Sequence, residues 1–303
     1  SMGFGGDASL RTEAGLTFEL SHNRDAGGHV FLPREKLLAA TAQLLDCDVD
    51  AVEKSLDDLI AIHRIVQEGV ANVTACYLRQ SWEDETYVVT RIEAMLADKP
   101  DALRGVERVI KEIEREQGVQ YAPLQRQAVE LAAKEELLLL TGGPGTGKTT
   151  SVRAIVALFE RMGLSVLLAA PTGRAAKRLS ELTGRKASTI HRLLEVDYTG
   201  GVVSFIHNDK NLLKCDVVIL DEMSMVDVKL FQALLAAARY HCRIIMVGDA
   251  DQLPSVGPGN ILGEVIRSGL VPTVCLNEIF RQARRSLIVE NAHHIISSEP
   301  LQK

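Results

Sequence analysis

Residues 136–150 read ELLLLTGGPGTGKTT. A short apolar run, Leu137 to Leu140, stops at Thr141, and Gly142, Gly143, Gly145 and Gly147 then free the backbone before Lys148, Thr149 and Thr150 open a helical pattern. Glycine has no Cβ, so successive N–H groups can turn inward around a phosphate, while the next helix N-terminus adds partial positive charge. Every fixed position of G-x-x-x-x-G-K-[ST] is met between an apolar strand and a helix, the context this motif requires. The stretch reads as a P-loop. Gly143, Pro144, Gly145, Thr146, Gly147, Lys148, Thr149 and Thr150 are the expected nucleotide-binding residues; Lys148 reaches the β- and γ-phosphates and Thr149 offers a hydroxyl to Mg²⁺.

Downstream, apolar strand runs alternate with helical patterns. Strands are expected at Val166 to Ala170, Val217 to Leu220, Arg243 to Val247 and Val271 to Leu276. Helices are expected at Arg174 to Leu182, Val228 to Ala237 and Ile261 to Arg267. Continuous runs such as VVIL and RIIMV mark strands buried on both faces, hence an α/β fold with a parallel sheet whose ligands gather beyond the carboxyl ends. Residues 217–227, VVILDEMSMVD, put Asp221 and Glu222 at such an end. An adjacent pair of carboxylates there is costly without partners. Beside a P-loop, Asp221 is expected to hold Mg²⁺ and Glu222 to deprotonate the attacking water. Gln252, in MVGDADQLPSVGPGN at 246–260, can donate and accept, which suits a sensor of the γ-phosphate.

Upstream, helices are expected over Leu124 to Ala133, Ala102 to Gln117 and Trp82 to Ala97. Further back come helices over Leu10 to Leu20, Arg34 to Leu45 and Val52 to Ile62, a loop at Asp25 to Gly28, and strands at Ile65 to Gln67 and Val70 to Tyr77. Helices followed by a small hairpin form a winged-helix-like pattern, used both to dock on DNA and as an interaction or spacer module. Its acidic residues, among them Asp46, Asp48, Glu53 and Asp57, weigh against DNA.

The 303 residues carry a net charge of -6, with 46% hydrophobic and 24% charged residues. Such a chain buries a large core and has no surface that is basic all over, so nucleic acid can be held only by a local patch. No stretch approaches the length of apolar sequence that a membrane helix needs, and a cytoplasmic protein is expected. Five widely spaced cysteines without a CxxC pair suit reduced, packed thiols.

Taken together, GGPGTGKTT, APTGRAAKRL, TIHRLL, DEMSMVD, GDADQLPSVGPGN and LNEIFRQ resemble superfamily one DNA helicases, within them the RecD branch. GGHVFLPREKL and the helical run from Tyr77 to Leu96 are similar to the stand-alone RecD-like form, so the resemblance covers nearly the whole chain. It implies a RecA-like P-loop fold, ATP and Mg²⁺, and 5′-to-3′ helicase activity in repair or recombination. Implied partners are single-stranded DNA, duplex junctions and other repair proteins, with no membrane and a monomeric state. It further implies that Gln125 contacts adenine, that Arg281 stabilises the transferring phosphoryl group, and that Pro171, Thr172, Arg174, Thr189 and His191 line a single-strand track. The intervening Lys177, Arg178, Arg185 and Lys186 form a basic stretch suited to DNA phosphates. EVDYTGGVVSF, 195–205, reads as a hairpin turning at Thr199-Gly200-Gly201, with a duplex-splitting role implied. Asn211-Leu212-Leu213 departs from the Asn-Pro-Leu usual in the family. Expected boundaries are 3–118 for the N-terminal domain and 119–282 for the motor domain, with a hairpin inserted at 195–207. Residues 283–303 would begin the connection to a second RecA-like domain, which makes this an internal fragment. The alternative is a P-loop switch of the AAA or signalling kind, without unwinding.

Overall fold

A computed structural model of the chain describes residues 8–197, 204–252, 255 and 257–277. They divide into two compact units: one runs to Val89 and includes Asp227–Lys229 and Ser255–Gly259, and the other takes the rest.

The first unit holds α1 (Ala8–Gly27), β1 (Phe31–Pro33), α2 (Arg34–Leu45), α3 (Val49–Ala61), β2 (Ile65–Val70), β3 (Val73–Leu78) and the first half of α4 (Arg79–Ala97). Asp48 starts α3 by accepting the Asp50 N–H at 3.1 Å, and Val52, Leu56 and Leu59 recur at helical spacing. They pack with Leu16, Leu20, Leu37 and Ile65 into one apolar core. The sheet order is β1-β3-β2, antiparallel throughout. The hairpin differs from the expected one: its turn is Ala71-Asn72, with φ of 46° and 68°, so β2 continues to Val70. Two left-handed residues match the twist of a two-residue hairpin, a tertiary demand that the alanine hides in the sequence. Helix α1 likewise continues through the expected loop to Gly27.

The second unit adds α5 (Val106–Gln117), α6 (Pro123–Lys134), β4 (Leu137–Gly142), α7 (Lys148–Arg161), β5 (Val166–Ala170), α8 (Gly173–Thr183), β6 (Ala187–Thr189) and α9 (Ile190–Leu194). Then come β7 (Val196–Asp197), β8 (Ser204–Phe205), β9 (Val217–Leu220), α10 (Val228–Ala237), β10 (Arg243–Gly248), α11 (Ile261–Ser268) and β11 (Thr273–Leu276). Six strands form a parallel sheet in the order β11-β4-β10-β9-β5-β6. Leu138, Leu140, Ile219, Ile245 and Val247 share a core with α5, α6 and α7. Their alternates Leu139, Val218, Leu220, Ile244 and Met246 are equally inaccessible, so both faces of the sheet are covered and the α/β architecture follows.

Two features differ from the sequence reading. Strand β6, the three residues Ala187–Thr189, has too little apolar character to announce itself and forms by pairing with β5. The division between units falls at Val89–Thr90, inside α4, rather than near Gly118. The cause is α5, whose Val109, Ile110 and Ile113 are buried in the core of the parallel sheet.

Candidate nucleotide-binding site

Sheet order assembles the site. Strand β10 lies between β4 and β9, with Gly248 opposite Thr141 and Met246 opposite Leu220. The loop after β10 therefore emerges between the P-loop and the acidic pair, placing Asp249 and Gln252 between Lys148 and Asp221. The P-loop backbone turns through Gly145 at φ 76° and Gly147 at φ 89°, and α7 begins at Lys148. Gly142, at φ 154°, passes the end of β11 so closely that a Cβ would collide with the Leu276 carbonyl oxygen.

A cavity of about 140 Å³ is lined by Pro144, Lys148, Thr149, Arg178, Asp221, Glu222, Asp249 and Gln252, among others. The Lys148 ammonium donates to the carbonyl oxygens of Gly142 and of Gly143, the latter at 2.9 Å. Burial pulls its pKa below the ordinary lysine range, opposed by Asp249, Glu222 and Asp221. Burial also raises Asp221, against a hydrogen bond from the Glu222 backbone and the nearby Lys148 and Arg178. Glu222 is raised first by burial and then by the Asp221 charge, while Arg178 and Lys148 oppose the rise. Its backbone is left-handed, φ 53°, a conformation that costs energy in a glutamate and is typical of residues held for chemistry. Ser224 Oγ donates to Gln252 Oε1 at 3.3 Å, fixing the amide at the cavity wall.

Of the sequence-derived candidates, Pro144, Lys148, Thr149, Asp221, Glu222 and Gln252 thus share one cavity. Thr146 is buried and donates to the Gly143 carbonyl at 2.9 Å, bracing the cradle. Thr150 is exposed on α7 and does not line the cavity. Gln125 is buried in the first turn of α6, where Oε1 accepts the Ala122 N–H at 3.1 Å; it caps a helix and is not on the cavity wall. Arg281, Leu253 and Pro254 lie outside the described residues. Two charged cavity residues have no nucleotide role in the sequence reading. Asp249 sat in a motif without an assignment, and Arg178 was grouped with the DNA-facing cations. The spacing of Arg178 with Leu179 and Leu182, all on one face of α8, was the available signal for the latter.

The track candidates meet at the adjacent carboxyl ends of β5 and β6, where Ala170 is opposite Thr189. Thr172 caps α8 by accepting the Ala175 N–H at 3.2 Å, and Thr189 caps α9 by accepting the Arg192 N–H at 3.1 Å. Two helix N-termini consequently open on the same side, with Pro171 half-buried and Arg174 and His191 exposed beside them. The His191 ring lies 5.9 Å from Phe205 in β8, which pairs antiparallel with β7; the turn expected at 199–201 lies outside the described residues.

An AAA domain family matches residues 125–258, the segment that builds the cavity. The ATP-dependent RecD2 DNA helicase of Deinococcus radiodurans is 32% identical over 302 residues, covering 97% of this chain and 41% of that protein. The chain is homologous to the RecD-type helicases. The RecBCD enzyme subunit RecD of Mycolicibacterium smegmatis is 36% identical across 63% of this chain and 37% of its own length. The ATP-dependent DNA helicase dda of phage T4 is 42% identical across 42% of this chain and 30% of its own. The chain spans about two-fifths or less of the length of these relatives. Among its described residues no helix is long and apolar enough to cross a membrane.

Proposed function

We propose that the chain is the nucleotide-binding part of an ATP-driven motor that moves 5′-to-3′ along single-stranded DNA and opens duplex at single-strand junctions, in repair and recombination. The observation that carries this reading is the convergence of Lys148, Thr149, Asp221, Glu222 and Gln252 on one cavity. The carboxyl ends of β5 and β6, in the same sheet, present the exposed Arg174 and His191. ATP is the substrate. Lys148 would exchange its hold on the Gly142 and Gly143 carbonyls for the phosphates. Glu222, made a stronger proton acceptor than an ordinary glutamate by burial and by the Asp221 charge, takes a proton from the attacking water. Gln252 orients that water or registers the terminal phosphoryl group.

The hydroxyl of Thr149 and the half-buried carboxylate of Asp221 are the hard oxygen donors that suit Mg²⁺, which takes few protein ligands and completes its shell with phosphate and water. Such an ion would neutralise phosphate charge. From the resemblance, Arg281 adds positive charge to the transition state. The protein acts in the cytoplasm, as a monomer alongside other repair proteins. The test is hydrolysis of ATP with and without oligo-dT. Stimulation by the oligonucleotide that Lys148→Ala abolishes supports the motor, whereas hydrolysis indifferent to DNA marks a P-loop switch instead.

A further inference from the structure

Along the sequence Arg178 is one cation in a basic stretch, but the structure separates it from the others. Lys177 lies 4.0 Å from Glu181, and Arg185 is held by Glu160 through two guanidinium nitrogens at 2.6 and 2.7 Å. Arg178 makes no hydrogen bond or ion pair among the described residues, and it lines the same cavity as Lys148 and Glu222. Leu179 and Leu182 line it too, so this face of α8 is a wall of the nucleotide site.

We propose that Arg178 is a ligand for the terminal phosphate of the bound nucleotide, carried on the helix whose first turn belongs to the proposed DNA track. This rests on the nucleotide-site reading above and adds a residue to it. The cavity sets three carboxylates, Asp221, Glu222 and Asp249, against two cations, Lys148 and Arg178. Lys148 is already shared between two P-loop carbonyls. A triphosphate brings further negative charge, and its terminal group exposes three oxygens that a planar guanidinium with five N–H donors matches in pairs. Glu222 and Gln252, read as acting at that terminal group, border the same space. From the cap Thr172 to Arg178 is six residues of one helix, about 9 Å along its axis. Gain or loss of the terminal phosphate at one point of α8 is then felt at its DNA-facing end as movement of a single rigid element, a direct link between hydrolysis and grip.

The test is titration of the chain, with Mg²⁺ present, by a fluorescent non-hydrolysable ATP analogue and by the matching ADP analogue. Wild type, Lys148→Ala, Arg178→Ala and Arg178→Lys are compared. Arg178→Ala is expected to weaken the triphosphate by roughly tenfold or more and the diphosphate by no more than about twofold, with part of the loss restored by lysine. Arg178→Ala keeping the wild-type ratio of the two affinities overturns the proposal. So does Arg178→Ala losing oligo-dT binding with that ratio unchanged, which returns the residue to the DNA track. Failure of the underlying reading looks different: wild type binds neither nucleotide, or Lys148→Ala binds both as well as wild type does.

Discussion

The two ends of the parallel sheet handle charge in opposite ways. At the amino end, Asp216 accepts the Ser165 N–H at 2.7 Å and the Ser165 hydroxyl at 2.6 Å, and pairs with Arg239. Glu136, only 3% exposed, lies 3.2 Å from His241 Nδ1, and the buried Arg243 donates to the Asp101 carbonyl at 3.1 Å. Among these charges only Arg243 Nε has no partner. At the carboxyl end, three carboxylates and Arg178 face a cavity, and only backbone carbonyls hold the Lys148 ammonium. Burial makes charge expensive at both ends. The amino-end charges are answered by side chains of the chain itself, whereas at the carboxyl end, among the described residues, Asp221 and Asp249 accept only backbone N–H groups, an arrangement suited to a ligand that supplies the opposite charge.

Five substitutions test that contrast. Glu222→Gln should lower DNA-stimulated ATP turnover by about 10²- to 10⁴-fold, the range for loss of a general base, while ATP binding persists. Lost ATP affinity in that variant would show that Glu222 holds the site together rather than acting on water. Lys148→Ala should weaken ATP by about two orders of magnitude in a calorimetric titration, since charge-assisted contacts to two phosphates vanish.

At the amino end the readout is stability. Asp216→Asn should cost about 1–2 kcal/mol in urea unfolding and leave ATP affinity unchanged. The Ser165 hydroxyl holds the Asp216 carboxyl below its usual range. Its contribution is therefore complete above about pH 4, the unfolded value, and is lost as pH falls through the lower folded value. Wild type and Asp216→Asn should differ in Tm at neutral pH and converge in acid; a constant gap would remove the ionised carboxylate from the explanation. Asp221→Asn should shift Tm the other way, raising it by about 2–4 °C without nucleotide, because a half-buried charge crowded by Glu222 is removed. The smallest effect is expected of Arg174→Ala, a few-fold loss of oligo-dT affinity with a salt slope shallower by about one. An unchanged slope would take Arg174 off the phosphate track.

How much was legible follows the range of the forces. GGPGTGKT needs only local backbone freedom and a helix start, and VVIL before Asp221-Glu222 needs only a buried strand, so both could be read directly. Ala71-Asn72 could not, because a left-handed alanine is imposed by strand pairing. The turn of α6 hid Gln125, whose amide caps its own helix as readily as it would meet a base. Arg178 was concealed by its neighbours: the four cations Lys177, Arg178, Arg185 and Lys186 look alike until Glu160 and Glu181, one of them on α7, answer two of them.

The sequence names the candidates for phosphate, metal and proton chemistry, because glycine torsions, strand burial and carboxylate placement are set within a few residues. Only the tertiary structure decided the order β4-β10-β9, which inserts Asp249 and Gln252 between Lys148 and Asp221, and the rotation of α8 that turns Arg178 toward them. Strand neighbours and helix facing are chosen by packing among segments far apart in sequence, and no local pattern encodes that choice.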